Sequence, residues 1–128
     1  MRFLGIDYGT KRIGLALSDE SGRFAFPNSV LENDISAMST ILRLVRENNV
    51  GKIVIGESRD YKGNPNPILA ASKRFAEKVA TETGLLVVLE PEFLTSAEAA
   101  RIQGEGKTLD ASAAALILKS YLDKQPHE

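Results

Sequence analysis

The chain has 128 residues, enough for one domain with its own core and too few for two lobes of ordinary size. It has no cysteine, which excludes disulfides and thiolate metal sites, and its formal net charge of -1 gives no global pull toward nucleic acid, so any such site must be a local basic rim. No apolar run approaches the roughly 20 residues of a membrane span, and the first residues read as a strand without signal-peptide anatomy, so a cytoplasmic protein is expected.

Phe3 to Leu17 reads as a hairpin, because apolar residues at 3, 4 and 6 and again at 13, 15 and 17 flank the turn formers Gly9 and Thr10. A turn centred there sets Gly5 opposite Gly14 and Asp7 opposite Arg12. Two facing glycines would leave a lane over the sheet for a ligand backbone, with the Asp7 carboxylate at its rim. An unpaired buried charge costs several kcal/mol, so Asp7 needs a cation or strong donors. A metal ion would serve; so would Arg12, in a cross-strand pair contributing about 0.2 to 1 kcal/mol.

Arg23 to Leu31 is a third strand reached through Ser21-Gly22, with Pro27 marking an edge position or a bulge. Asp34 caps a helix carrying Ile35, Met38, Ile41, Leu42 and Val45 at helical spacing and ending near Asn48-Asn49. The unalternating run Lys52 to Gly56 suits a parallel strand buried on both faces. Asn66-Pro67 opens the next helix, Ile68, Leu69, Phe75 and Val79 mark its inward side, and Gly84 ends it.

Leu85 to Leu89 is another buried strand, and Thr95-Ser96-Ala97-Glu98 offers a capping box for a short helix closed by Gly104 and Gly106. A last helix runs from about Asp110 to Asp123, and its alanines permit close approach to a neighbour. The sum is a single α/β domain over residues 1–128: a five-stranded mixed sheet flanked by helices, with a disordered tail from about 124 that holds the only histidine, His127.

Ligands of open sheets bind beyond the carboxyl ends of the parallel strands. The first, fourth and fifth strands end at Asp7, at Gly56-Glu57 and at Glu90-Pro91-Glu92, and the last helix can bring Asp110 to the same edge. Like charges gathered there repel, and divalent cations would neutralise them. Oxygen donors without histidine or cysteine favour Mg²⁺ or Mn²⁺ over zinc, and such ions can activate water and stabilise the leaving oxygen of a phosphodiester. Taken singly, each acid also reads as an ordinary feature: Glu57, Glu90 and Glu92 as solvated loop ends, Asp110 as a helix-start residue worth about 0.3 to 1 kcal/mol. Lys11, Arg12, Arg59 and Lys62 lie in two loops that could form the basic rim.

Together, Gly5-Ile6-Asp7-Tyr8-Gly9-Thr10-Lys11-Arg12-Ile13-Gly14-Leu15-Ala16, Glu92-Phe93-Leu94-Thr95-Ser96-Ala97-Glu98-Ala99 and Asp110-Ala111-Ser112-Ala113-Ala114-Ala115-Leu116-Ile117-Leu118 resemble the YqgF family over nearly the whole chain. Its members are candidate pre-16S rRNA nucleases, also described as Holliday-junction-resolvase-like, with the ribonuclease H fold. The resemblance implies metal-binding acids at Asp7, Glu92 and Asp110, with Mg²⁺ or Mn²⁺ as cofactor. It also implies phosphodiester hydrolysis on structured nucleic acid: precursor rRNA at its 5′ end, or branched DNA. The chain departs from the family pattern at Pro91 and Phe93, where an Asp and an Arg are usual, and at Gly56-Glu57-Ser58, where Gly-Leu-Pro is usual. Glu57 therefore stands beside Glu92 as a candidate for the middle acid of a catalytic set Asp7, Glu57, Glu92 and Asp110.

Two other readings remain at this stage. A non-catalytic nucleic-acid-binding module would keep the fold and lose ion affinity. A sugar-kinase-like ATPase shares an Asp-x-Gly-Thr hairpin but needs a second lobe that 128 residues do not supply. Nothing in the residues decides between a monomer and a homodimer.

Overall fold

The computed structural model describes residues 1–59, 69–93 and 107–125. Strand β1 (Arg2–Tyr8) is followed by β2 (Arg12–Ser18), β3 (Ala25–Glu32), α1 (Ala37–Glu47), β4 (Val50–Arg59), α2 (Leu69–Thr83), β5 (Val87–Phe93) and α3 (Lys107–Asp123). The strands form one mixed sheet in the order β3-β2-β1-β4-β5, antiparallel across β1, β2 and β3 and parallel from β1 through β4 to β5.

Strand alternation divides the core in two. Leu4, Ile6, Ile13, Leu15, Ile53 and Ile55 line one face and pack with Ala37 and Ile41 of α1 and Ala76 and Val79 of α2. Ala16 and Val54 line the other, under Ala114, Ile117, Leu118 and Leu122 of α3, with Phe3 and Val88 at the margin. The run Ile53-Val54-Ile55 is fully buried because it feeds both layers, as its lack of alternation predicts.

The hairpin register differs from the sequence expectation. Asp7 pairs with Gly14 and Gly5 with Ala16, so the strand register sets neither Asp7 opposite Arg12 nor Gly5 opposite Gly14. The cause lies at Gly9: a Cβ there would sit 2.5 Å from the Arg12 carbonyl oxygen, so this glycine flanks the turn, and Thr10 and Lys11 form its centre. The two-residue displacement leaves every side chain on its expected face.

Other boundaries shift for local reasons. β3 starts at Ala25, and Pro27 meets both of its expectations: β3 is an edge strand, and its register with β2 slips between Leu15 and Ala16. Helix α1 starts at Ala37, because Asp34 builds a turn first, its carboxylate accepting from the Ser36 amide at 2.9 Å and the Ser36 hydroxyl at 2.6 Å. Ile35 is in consequence fully exposed and no part of the core. β5 runs from Val87 to Phe93, later than expected, and leaves Leu86 outside and exposed. α2 ends at Thr83, before Gly84 with φ of 71°. α3 begins at Lys107 and not near Asp110, and the Lys124 and Gln125 amides still donate to the Tyr121 and Leu122 carbonyls at 3.2 and 3.1 Å. The expected capping motifs Asn66-Pro67 and Thr95-Ser96-Ala97-Glu98, with Ile68, Gly104, Gly106 and His127, lie outside the described residues.

Asp19 organises the β2–β3 connection. Its carboxylate accepts from the Ser21 hydroxyl and from the Phe24 and Arg23 amides, the latter two at 3.0 and 2.9 Å, and these donors hold its pKa well below the usual carboxylate range. A depressed folded-state pKa contributes stability that is present above the unfolded value of about 3.9 and is lost as pH falls through the folded one. Asp19→Asn should therefore melt lower than the parent at pH 7, and the gap should narrow as the pH drops below about 4; melts across pH check this.

Candidate active site

Asp7 is the penultimate residue of β1, half-buried, in the same alternate set as Phe3 and Gly5, which meet α3. At Gly5 the helix comes as near as a backbone allows: an added Cβ would stand 2.8 Å from the Leu118 Cβ and 3.0 Å from the Ala114 carbonyl oxygen. The lane expected above this glycine thus belongs to α3, and no ligand backbone can run along it. The small residues Ala113 and Ala114 make that approach possible. Asp110 precedes Ala114 by one helical turn, about 6 Å of rise, and Asp7 follows Gly5 by two residues, about 7 Å. One tight contact, Gly5 against Ala114 and Leu118, therefore fixes the relation between the strand that carries Asp7 and the helix that carries Asp110.

The turn beyond Asp7 is braced from β3. Asn33 donates its backbone amide to the Lys11 carbonyl at 2.9 Å and its side-chain amide to the Gly9 carbonyl at 2.8 Å. Lys11 is thereby presented, exposed, on a held turn. Asp34, next in sequence, is kept below its ordinary pKa by the Ser36 hydroxyl and the Ser36 amide. On the other side of the sheet Tyr8 packs against Phe75 of α2, ring centroids 4.8 Å apart.

The middle acids occupy different register phases. Gly56 pairs with Glu90, Glu57 with Pro91, Ser58 with Glu92 and Arg59 with Phe93. Glu92 falls in the alternate set of Val88 and Glu90, on the α3 side, the set to which Asp7 belongs across the sheet. Glu57 falls in the set of Ile53 and Ile55, the side of α1 and α2. Pro91 is accommodated because β5 is an edge strand.

The family model described as RuvX, Holliday junction resolvase, matches residues 1–124. The chain belongs to the RuvX family. It is 36% identical over 137 aligned positions to a candidate pre-16S rRNA nuclease of Geobacillus kaustophilus, covering 98% of this chain and 99% of that one. A protein of the same name from Anaeromyxobacter is 37% identical, covering 96% and 97%. Among solved structures, Thermus thermophilus RuvC in complex with a Holliday junction substrate superposes with a TM-score of 0.58 at 17% identity, covering 95% and 94%, which establishes the ribonuclease H-like fold.

Within this RuvX-family fold, the sequence candidates separate. Asp7 and the α3 turn bearing Asp110 are brought to one neighbourhood, and Glu92 shares their side of the sheet by register. Of the basic residues, Lys11 sits on the braced turn, Arg12 begins β2 opposite Glu32, Arg59 ends β4, and Lys62 lies outside the described residues.

Two residues near these elements have partners that the sequence does not reveal. Asn33 holds the turn and has no periodic signal in the sequence. Glu90, read from the sequence as a solvated loop end or one more acid of the cluster, is only 3% exposed and accepts from the Ser120 hydroxyl at 2.8 Å and from the Lys124 ammonium. Its signal, Ser120 in the last turn of α3 and Lys124 just beyond that helix, lies 30 and 34 residues away and acquires meaning only once α3 covers β5.

Proposed function

We propose that this RuvX-family chain is a divalent-metal-dependent nuclease that hydrolyses phosphodiesters of structured nucleic acid, with precursor 16S rRNA as its substrate in the cytoplasm. The observation that carries the reading is the Gly5 contact with α3, which ties the Asp7 strand to the Asp110 helix on the side of the sheet where Glu92 falls by register. The curated relatives, named for pre-16S rRNA processing and matched over nearly their full length, support the choice of RNA. The family description and the RuvC likeness make branched DNA the alternative substrate.

Asp7, Glu92 and Asp110 are the proposed ligands. Their donor set is all oxygen, in a chain with no cysteine and its single histidine at position 127, and suits a hard ion such as Mg²⁺ or Mn²⁺. Such an ion, when bound, acidifies a water and offsets charge on the phosphoryl and leaving oxygens. The chain's own part would be to supply the three carboxylates from β1, β5 and α3. Lys11 on its braced turn gives the surrounding edge local positive charge for the phosphate backbone, which a chain of net charge -1 lacks overall, and Arg12, Arg59 and Lys62 are the further cations proposed for it from the sequence. No helix among the described residues is long and apolar enough to cross a membrane.

The test is cleavage of precursor rRNA, branched DNA and single strands with Mg²⁺ or Mn²⁺ titrated in. Glu92→Gln should lower metal-dependent turnover at least about tenfold, or about 1.4 kcal/mol of barrier, and Glu57→Gln should do less because of its register phase. The reverse ranking would move the middle ligand to β4. No cleavage of any substrate by the unaltered chain, with nucleic acid still bound, would replace the nuclease by a binding module, the reading that Pro91 and Phe93 would then favour.

A further inference from the structure

Glu90 is a buried carboxylate to which the proposed chemistry gives no role. It is 3% exposed, and its Oε2 atom takes both the Ser120 hydroxyl at 2.8 Å and the Lys124 ammonium, which hold it from the last turn of α3 and the residue beyond. β5 needs such an anchor. Among the described residues it is an edge strand, paired only with β4, and Pro91 directly after Glu90 has no amide proton to give to any neighbour. Glu92 follows two residues later in the same phase. At its other end α3 carries Asp110, and between the two the helix rests on Gly5.

Given the nuclease reading, on which this rests, we infer that Glu90 is a positioning residue: its clamp to Ser120 and Lys124 sets the end of β5, and with it Glu92, at a fixed place relative to the helix that bears Asp110. The clamp differs from an ordinary surface ion pair because its acid is buried, so loss of Lys124 leaves that acid with the Ser120 hydroxyl as the remaining donor of the pair described here. A surface cation far from the reacting phosphate thereby acts on the metal site through β5.

The experiment uses the full chain and three variants, Lys124→Met, Lys124→Arg and Glu90→Gln. Lys124 has a side chain 59% exposed, so its replacement leaves a folded protein to measure. Two readouts are taken: hydrogen exchange of the β5 amides without metal, and calorimetric titration with Mn²⁺ alone. Lys124→Met and Glu90→Gln should speed exchange at Glu92 and Phe93 at least about tenfold and weaken Mn²⁺ binding at least about fivefold, a loss of about 1 kcal/mol by the tenfold-per-1.4 conversion. Lys124→Arg should stay within about twofold of the parent on both. Lower melting temperatures with exchange at Glu92 and Mn²⁺ affinity unchanged would overturn the inference and leave the clamp a contributor to stability alone. If the unaltered chain binds no Mn²⁺ and cleaves nothing, the nuclease reading fails on that result, and unchanged exchange at Glu92 would separately reject the clamp.

Discussion

Asp7→Asn is expected to reduce Mg²⁺- or Mn²⁺-dependent cleavage at least about a hundredfold, equivalent to about 2.7 kcal/mol of barrier. The amide keeps the shape of the carboxylate and removes the charge that a hard cation requires. Single-turnover cleavage at saturating metal measures the loss, and melts of the metal-free protein assign its cause. A melting temperature equal to or above the parent's goes with a carboxylate set among other acids, whose mutual repulsion the change relieves. A drop of several degrees, with cleavage retained, would instead make Asp7 a structural partner of the hairpin and remove the proposed first ligand.

Gly5→Ala should lower stability markedly. The new Cβ would lie 2.8 Å from the Leu118 Cβ and 3.0 Å from the Ala114 carbonyl oxygen, and neither atom belongs to the flexible end of a side chain. The helix must withdraw from the sheet, which costs about 1 to 3 kcal/mol, as overpacking of a close-fitted core does. A melting temperature lower by several degrees follows. Because α3 carries Asp110, turnover should fall as well, and half-saturating metal should rise. An alanine variant that melts and cleaves like the parent would show that the helix yields without cost and that the Gly5 contact does not set the site.

Much of this architecture is legible in the residues. The buried run Ile53-Val54-Ile55 identifies the central parallel strand, Pro27 identifies an edge, and the order of three strands followed by helices alternating with strands gives the mixed sheet. The hairpin register is not legible, because Gly9 serves equally well at the centre of a turn or at its flank, and only the Arg12 carbonyl pressed against it decides. Ile35 continues a helical apolar spacing, yet the Asp34–Ser36 turn delays the helix until it has passed. Of the proposed site, Asp7 and Asp110 are nominated by motif and position, while the difference in register between Glu57 and Glu92 needs the pairing of β4 with β5. Glu90 cannot be distinguished from its acidic neighbours until α3 is laid across the sheet.

The contact at Gly5 joins residues separated by almost the full length of the chain, and this orders events during synthesis. Domains assemble from the amino end as they leave the ribosome. Until α3, which is made last, docks on the sheet, Ala16, Val54 and Val88 lie bare on the face that it covers. In that interval the helix that bears Asp110 is not yet held against the strand that bears Asp7, so on the proposed ligand set the metal site would be completed by this last contact.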